Sequence, residues 1–401
     1  MDLRNWQNVN GLMSVSEVGV FGLHSNDPRN DEAPPLKLAF WRGSSDPNLT
    51  YPPPAQKLSA RAWLLEPEGH PSDIYYSDAA AAEIEDIMIN FKPHVVILEG
   101  LWLHRYIPLL KRHKCRIVLD LHSIETAKFK QMGDEIYGND LQAKLSREIL
   151  PARIELIERK ASHAVDQIWV CSDVDSRLME EIHEPPVPVH VVPNAVNVDR
   201  YQMVRVGECN HPQDVIPNGN TIIFPAVFGW EPNAHGAKFL IEEVFPELVT
   251  VFPNCQLLLP GGQPTHQMIE VAKSEPRIVV TGVVPDMLPY LGAASVMAVP
   301  VFQGGGTRLK ILEGFASKLP VVSTAKGAEG VDVKDGVHLL FAESGEEFVD
   351  AIRRVWTDGF LAKKLSANGL DLVKQNYSWD VITRRISRAI NELHNITAGK
   401  G

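Results

Sequence analysis

The 401-residue chain is too long for one ordinary core and suits two domains. Its 39 Lys and Arg against 50 Asp and Glu leave a formal charge of -11, which excludes a broad nucleic-acid-binding face, because phosphate neutralisation needs a net basic surface. Four cysteines, Cys115, Cys171, Cys209 and Cys255, lie far apart with no CxxC pair, so neither a zinc site nor a disulfide framework is indicated and a reducing, cytoplasmic setting is the simplest reading. The opening MDLRNWQNVNGLMSV lacks the charged start and apolar core of a signal peptide. No apolar stretch is long enough to span a bilayer, which leaves peripheral membrane contact open.

Residues 1–36 give no recognisable pattern, and 26–56, rich in Pro, Asp, Asn and Ser, read as loops. Strands are then expected in chain order at LKLAFW, HVVILEG, RIVLDLH, QIWVCS and VHVVPNA. After the polar, aperiodic stretch VGECNHPQDVIPNGN (206–220), read as a linker, they resume at TIIFPAVFG, CQLLLPGG, RIVVTGVV, SVMAVPVF and LPVVST. Near-continuous apolar strands imply burial on both faces, hence parallel sheets covered by helices. Strand–helix alternation predicts two doubly wound α/β domains with right-handed crossovers. The tail SWDVITRRISRAINELHN places Trp379, Ile382, Ile386, Ile390 and Leu393 at helical spacing. Ligands of open α/β sheets bind beyond the carboxyl ends of the strands, so two facing domains would hold a substrate in the cleft between them.

The stretch VFQGGGTRLKILEGFASKLPVVST (301–324) carries the strongest chemical signal. Gly304, Gly305 and Gly306 turn the chain from a strand into a helix and let the backbone approach a ligand. The helix start adds free N–H groups and a partial positive charge. Arg308 and Lys310 add full cations where the helix dipole disfavours them, a placement that makes sense when an anion is bound there. Glu313, one to two turns on, can accept hydrogen bonds from sugar hydroxyls. The competing reading is a glycine turn with two solvated cations. The stretch is not a GxxxxGK[ST] nucleotide loop, and no early GxGxxG supports a dehydrogenase.

These residues resemble the retaining, nucleotide-sugar-dependent glycosyltransferases of family four, glycosyl transferases group one. FPAVFGWEPNAHGAKFLIEEVFP is similar to the family's opening strand, loop and helix of the donor domain, and TGVVPDMLPYLGAASVMAVPVFQGGGTRLKILEGFASKLPVVSTAKGAEGV to its donor-site core. VHVVPNAVNVDRY resembles its PNGVD segment, with Ala195 for Gly and Asn197 for Asp. Two departures stand out: the first of two glutamates spaced eight apart falls at Gly305, and the Arg of the donor domain's first loop is replaced within Ala226, Val227 and Phe228.

The resemblance implies a GT-B fold of two facing Rossmann-like domains. The first, an acceptor domain, would take residues 1–205 plus a returning helix at 379–401, and the second, a donor domain, 221–378. It implies Arg308 and Lys310 on the diphosphate, with the N–H groups of Gly306 and Thr307 beside Gly305. It places the ribose at Glu313 and the base at Gly282 and Val283. His122, just past the strand RIVLDL, would face the donor sugar as a catalytic residue. Glu99, Trp102 and Glu125 are candidate acceptor contacts, each readable instead as an ordinary strand-end acid, half-buried aromatic or helix-start acid. Arg42, Gly43 and Ser44 are the nearest candidate for the family's glycine-rich first loop.

The expected reaction moves a hexose from a nucleotide sugar, UDP being the default, to a hydroxyl acceptor, glycan, lipid or small molecule. The configuration is kept, and no metal or other cofactor is required. A nucleotide-sugar 2-epimerase and a silent sugar-nucleotide-binding partner subunit are the alternatives.

Overall fold

The computed structural model describes residues 3–23, 37–47, 49, 75–131, 141–207, 209, 212, 215, 219–304 and 309–398. The chain divides into two compact units, one of Met1–Pro193 with Thr383–Gly401 and one of Asn194–Ile382. The division falls at Pro193, ahead of the polar stretch 206–220, because residues after it bind into the second unit. Tyr201 donates from its hydroxyl to Glu313, Arg205 donates to the carbonyl of Ala316, and Val196 bridges to Ser378.

In the first unit, β1 (Gly19–Gly22) and β2 (Phe40–Gly43) pair in parallel. A separate parallel sheet runs β3 (Val95–Glu99), β4 (Arg116–Leu121), β5 (Gln167–Val170) and β6 (Val189–Val191), in that order. All four residues of β5 are buried, as are five of six in β4, in keeping with the unbroken apolar runs. The terminal helix Trp379–Ala398 starts in the second unit and continues in the first, where Ile386, Ile390 and Leu393 are buried.

Two elements of the first unit lie in the stretch that carried no pattern: helix Leu3–Met13 and strand β1. Helix Leu3–Met13 buries Arg4, Gln7, Asn8 and Gly11, the i, i+3, i+4, i+7 face. Three of these four are polar, so a search for apolar periodicity passes over the helix. A Cβ at Gly11 would lie 2.6 Å from Ile386 Cδ1, so the terminal helix sits directly on this face. Trp6 stacks on Trp41 of β2 with centroids 5.9 Å apart.

The second unit holds six parallel strands: β7 (Thr221–Ile223), β8 (Gln256–Pro260), β9 (Ile278–Gly282), β10 (Val296–Val299), β11 (Val321–Ser323) and β12 (Leu340–Phe341). Their order is β12-β11-β10-β7-β8-β9, so the chain winds outward from β7 and then restarts beside it at β10. The switch point between β7 and β10 is where open α/β sheets bind ligands, at the carboxyl ends of the strands. Leu257, Leu258 and Leu259 of β8 are fully buried, each contributing about 1.5–3 kcal/mol on transfer from water.

Close approach at this edge requires glycine at one position. Gly261 has φ +145°, and a Cβ there would lie 1.8 Å from the carbonyl oxygen of Ala226. Its N–H donates to the carbonyl of Gly282 at 3.0 Å, locking the loops after β7, β8 and β9 together. Gly261→Ala is expected to cost about 2 kcal/mol or more and to lower the melting temperature of the second unit by roughly 4–8 °C, read by scanning calorimetry.

Candidate functional site

The expected site residues fall into two groups, one in each unit. Gly305, Gly306, Thr307 and Arg308 lie outside the described residues.

In the first unit the carboxyl ends of the strands gather the chemistry. Glu99 ends β3 and is the direct register partner of Asp120 on β4, so two carboxylates stand side by side. His122 follows Asp120 by two residues, beyond the strand end. Its Nε2 lies 3.5 Å from Glu99 Oε2 and 4.0 Å from Asp120 Oδ2. The imidazole is 37 % exposed, whereas Asp120 is wholly buried.

A buried carboxylate needs a cation and donors. Asp120 has both from helix Leu3–Met13. Arg4 Nε donates to Oδ2 at 2.8 Å and Arg4 Nη2 to Oδ1, a two-point pair. Asn8 Nδ2 donates to Asp120 Oδ2 at 2.8 Å and to Glu99 Oε1 at 3.2 Å, bridging the two acids. Arg4 Nη1 and Gln7 Nε2 bind the carbonyls of Val192 and Pro193 past β6 at 2.8 and 2.9 Å. None of these helix residues was expected from the sequence. The available signal was their spacing, a polar face at helical period.

The charges follow from this arrangement. Burial, reinforced by the charge of Asp120, pushes Glu99 up to about 7. Burial also works against ionised Asp120, but Arg4 outweighs it and holds the carboxyl below its ordinary value. For His122, burial is overcome by the Glu99 hydrogen bond and the Asp120 charge, so its pKa is raised. Glu99, Asp120 and His122 offer ligand atoms within 4.8 Å of one another, near enough for an ion. Asp120 is already held by the guanidinium through both oxygens, which leaves the trio a poor fit for a further cation.

His122, Glu99, Trp102 and Glu125 all line one cavity of about 1220 Å³ in the first unit. Trp102 meets Phe129 edge-on, centroids 6.5 Å apart. Glu125 is buried at the start of helix Glu125–Gln131 and accepts from Ser123 Oγ at 2.7 Å and Lys128 Nζ at 3.1 Å. The helix's own first N–H groups, of Glu125 and Thr126, donate to Glu158 at 2.9 Å each, and His183 Nε2 backs that carboxylate at 2.9 Å. Glu158 thus satisfies this helix start, and the Glu125 carboxylate, held by Ser123 and Lys128, lines the cavity. Arg42 of β2 donates to the carbonyl of Glu83, and Ser44 N donates to the carbonyl of Gly22, so the FWRGSS segment joins β1 and β2 to the following helix.

In the second unit, Lys310 occupies the first turn of helix Leu309–Ala316, at the β7–β10 switch point. Its Nζ lies 3.0 Å from Asn233 Oδ1 and 4.4 Å from the centroid of Phe224, the residue after β7. These contacts offset the unfavourable placement of a cation at a helix start. Glu313, one turn on, accepts from Tyr201 at 2.8 Å, and burial raises its pKa. At the end of β9, Gly282 adopts φ +70° with open space where a Cβ would stand, and Val283 is 84 % exposed. Lys310, Glu313, Gly282 and Val283 thus all belong to the carboxyl-end loops and helices of this sheet.

Residues 219–358 match the family model described as Glycosyl transferases group 1. None of the curated proteins matches the sequence. Among solved structures the chain is similar to sucrose-phosphate synthase from Thermosynechococcus elongatus, with 17% identity, a TM-score of 0.72, and coverage of 97% of this chain and 92% of that one. It is similar to a glycosyltransferase from Rickettsia africae, with 14% identity, a TM-score of 0.65, and coverage of 97% and 94%. It is also similar to Anabaena HepE in complex with UDP and glucose, with 14% identity, a TM-score of 0.56, and coverage of 78% and 80%. At these identities the likeness establishes the fold: the chain has the two parallel-sheet units of the GT-B glycosyltransferases.

The stated charges set a pH test. A Glu99 pKa of about 7, above the usual carboxylate range, means that its protonated form favours the folded state; that contribution is complete below about 4.5 and is lost as pH rises through 7. Glu99→Gln should remove this loss, flattening stability over that window in urea titrations. It should also move the His122 titration to lower pH by NMR, because the imidazolium exchanges a charged acceptor for a neutral one.

Proposed function

We propose, starting from the group 1 match over residues 219–358 and the GT-B fold, that the protein is a glycosyltransferase. It moves a hexose from a nucleotide sugar to a hydroxyl of an acceptor, with retention of configuration and without a metal. The observation that carries the reading is Lys310. A cation stands in the first turn of a helix at the switch point of the sheet, inside the segment that matches the family. A diphosphate is the ligand that such a turn favours, through its cation and its dipole.

As the glycosidic bond breaks, negative charge grows on the leaving phosphate. Lys310 stabilises it by position, without reorganisation of solvent, and Arg308 is assigned to the same charge. The departing phosphate oxygen takes the acceptor's proton, so no carboxylate nucleophile is required. Glu313 is given the ribose hydroxyls through Oε2, its Oε1 being bound by Tyr201. Gly282 and exposed Val283 are given the base. The acceptor is assigned to the first unit, where Glu99, Trp102 and Glu125 share a cavity with His122, the residue given to the donor sugar. UDP is the first candidate nucleotide, supported by HepE having been captured with UDP and glucose. Metal independence is supported by Asp120 pairing with Arg4. Four free thiols, two of them buried, support a reducing, cytoplasmic setting, and no helix among the described residues is long and apolar enough to cross a membrane.

Melting the protein with UDP-, GDP- and ADP-sugars tests the reading. A donor at 100 times its Kd stabilises by about 2.7 kcal/mol, and no shift with any of the three at millimolar concentration would overturn it. With the donor so found, Lys310→Ala should lower kcat/KM by about 10²–10³, the loss typical of a preorganised charge-stabilising group. Stabilisation with no transfer or hydrolysis would instead identify a silent sugar-nucleotide binder, to which the glycine at 305 is suited.

A further inference from the structure

Two carboxylates contend for one imidazole nitrogen at the end of β4: Glu99 at 3.5 Å from His122 Nε2 and Asp120 at 4.0 Å. Which of them His122 engages fixes the ring's orientation and where its proton sits. We propose that Arg4, from helix Leu3–Met13, is a positioning residue that takes Asp120 out of this contest and so commits His122 to Glu99. The inference rests on the reading of His122 as the residue facing the donor sugar.

The geometry supports it at each atom. Arg4 grips both oxygens of Asp120, the nearer one at 2.8 Å from Nε, and Asn8 adds a second donor to that same Oδ2. Asp120 Oδ2 is the oxygen that faces His122, so it is satisfied by two donors before the imidazole is counted. Asn8 also reaches both oxygens of Glu99, at 3.2 and 3.4 Å, which fixes the spacing of the two acids. A plain docking role for the helix is carried by other contacts: Trp6 on Trp41, Gln7 on the Pro193 carbonyl and Gly11 against Ile386.

The charged and titratable groups around the imidazole come from five elements. Helix Leu3–Met13 brings Arg4, and β3 brings Glu99. β4 brings Asp120, and the end of β5 brings Cys171, a thiol that burial pushes up to about 12 and so keeps neutral. Glu125 and Lys128 on the following helix pair with each other. Removing Arg4 therefore leaves the cluster one positive charge short and frees Asp120 to bind the ring.

The experiment is an NMR titration of histidine-labelled protein without donor, with His122→Gln used to assign the signal. Arg4→Met is expected to raise the midpoint of His122. Arg4→Lys, which keeps the charge and loses the two-point grip, is expected to leave the midpoint near wild type but shift the Nε2 resonance as its acceptor changes. It stands as the deciding variant should Arg4→Met fail to fold. Trp6→Leu weakens the docking of the same helix on Trp41 and should move neither. Unmoved signals in folded Arg4 variants, or equal movement in Trp6→Leu, would overturn the proposal. Once a donor is known, Arg4→Lys should lower kcat several-fold with the donor KM unchanged. The titration needs no sugar nucleotide, so failure to bind any donor would sink the proposed function alone, and donor binding with an unmoved His122 would sink this inference alone.

Discussion

Asp120 is an acid at the end of an apolar strand, wholly buried, and the first unit is built around satisfying it. An isolated buried carboxylate is untenable in a low-dielectric interior, and removal of one partner from a buried pair costs about 3–5 kcal/mol. The requirement is met by a helix whose buried face is polar. Arg4 and Asn8 reach the acids, while Gln7 reaches the carbonyl beyond β6. Stability of the strand end and electrostatics of the site are thus one arrangement. Burial and the neighbouring Asp120 charge raise Glu99, while the Glu99 hydrogen bond and Asp120 raise His122 against burial and the opposing charge of Arg4.

The second unit solves a different problem, close approach. Parallel strands deliver their loops to one edge, and those loops must come near each other. Gly261 allows the loop after β8 to pass against Ala226, and its N–H ties that loop to Gly282. Lys310 is held by the ring of Phe224, just after β7, and by Asn233 of the following helix Glu231–Phe239. A cation placed against a helix dipole is thereby kept in position by neighbours that the sheet order supplies. Tyr201, from the stretch just after the unit boundary, does the same for Glu313.

The strands β3 to β11 were legible because burial on both faces demands unbroken apolar runs, and each run expected there contains a strand, although β7 stops at Ile223 and β6 at Val191. β12, two residues long, carries too little apolar sequence to register. Helix Leu3–Met13 was invisible for the opposite reason: beside Val9 and Gly11 its buried residues are Arg4, Gln7 and Asn8, which composition assigns to solvent. The candidate residues Glu99, Trp102, His122 and Glu125 were legible as strand-end and helix-start positions, but not their partners. The tie of 194–206 to the second unit was also hidden, because Tyr201 and Arg205 look like ordinary linker residues until Glu313 and Ala316 are placed beside them.

By itself the sequence determined the class of fold, two parallel-sheet units, since that depends on local pattern: unbroken apolar runs alternating with helical spacing. Only the tertiary structure decided that Arg4 pairs with a carboxylate 116 positions away, that Glu99 and Asp120 stand in register, and that Lys310 leans on Asn233 and Phe224. The physical reason is that pairing and desolvation act through space. A residue's charge state and orientation are set by what the fold brings against it, and no spacing along the chain encodes that.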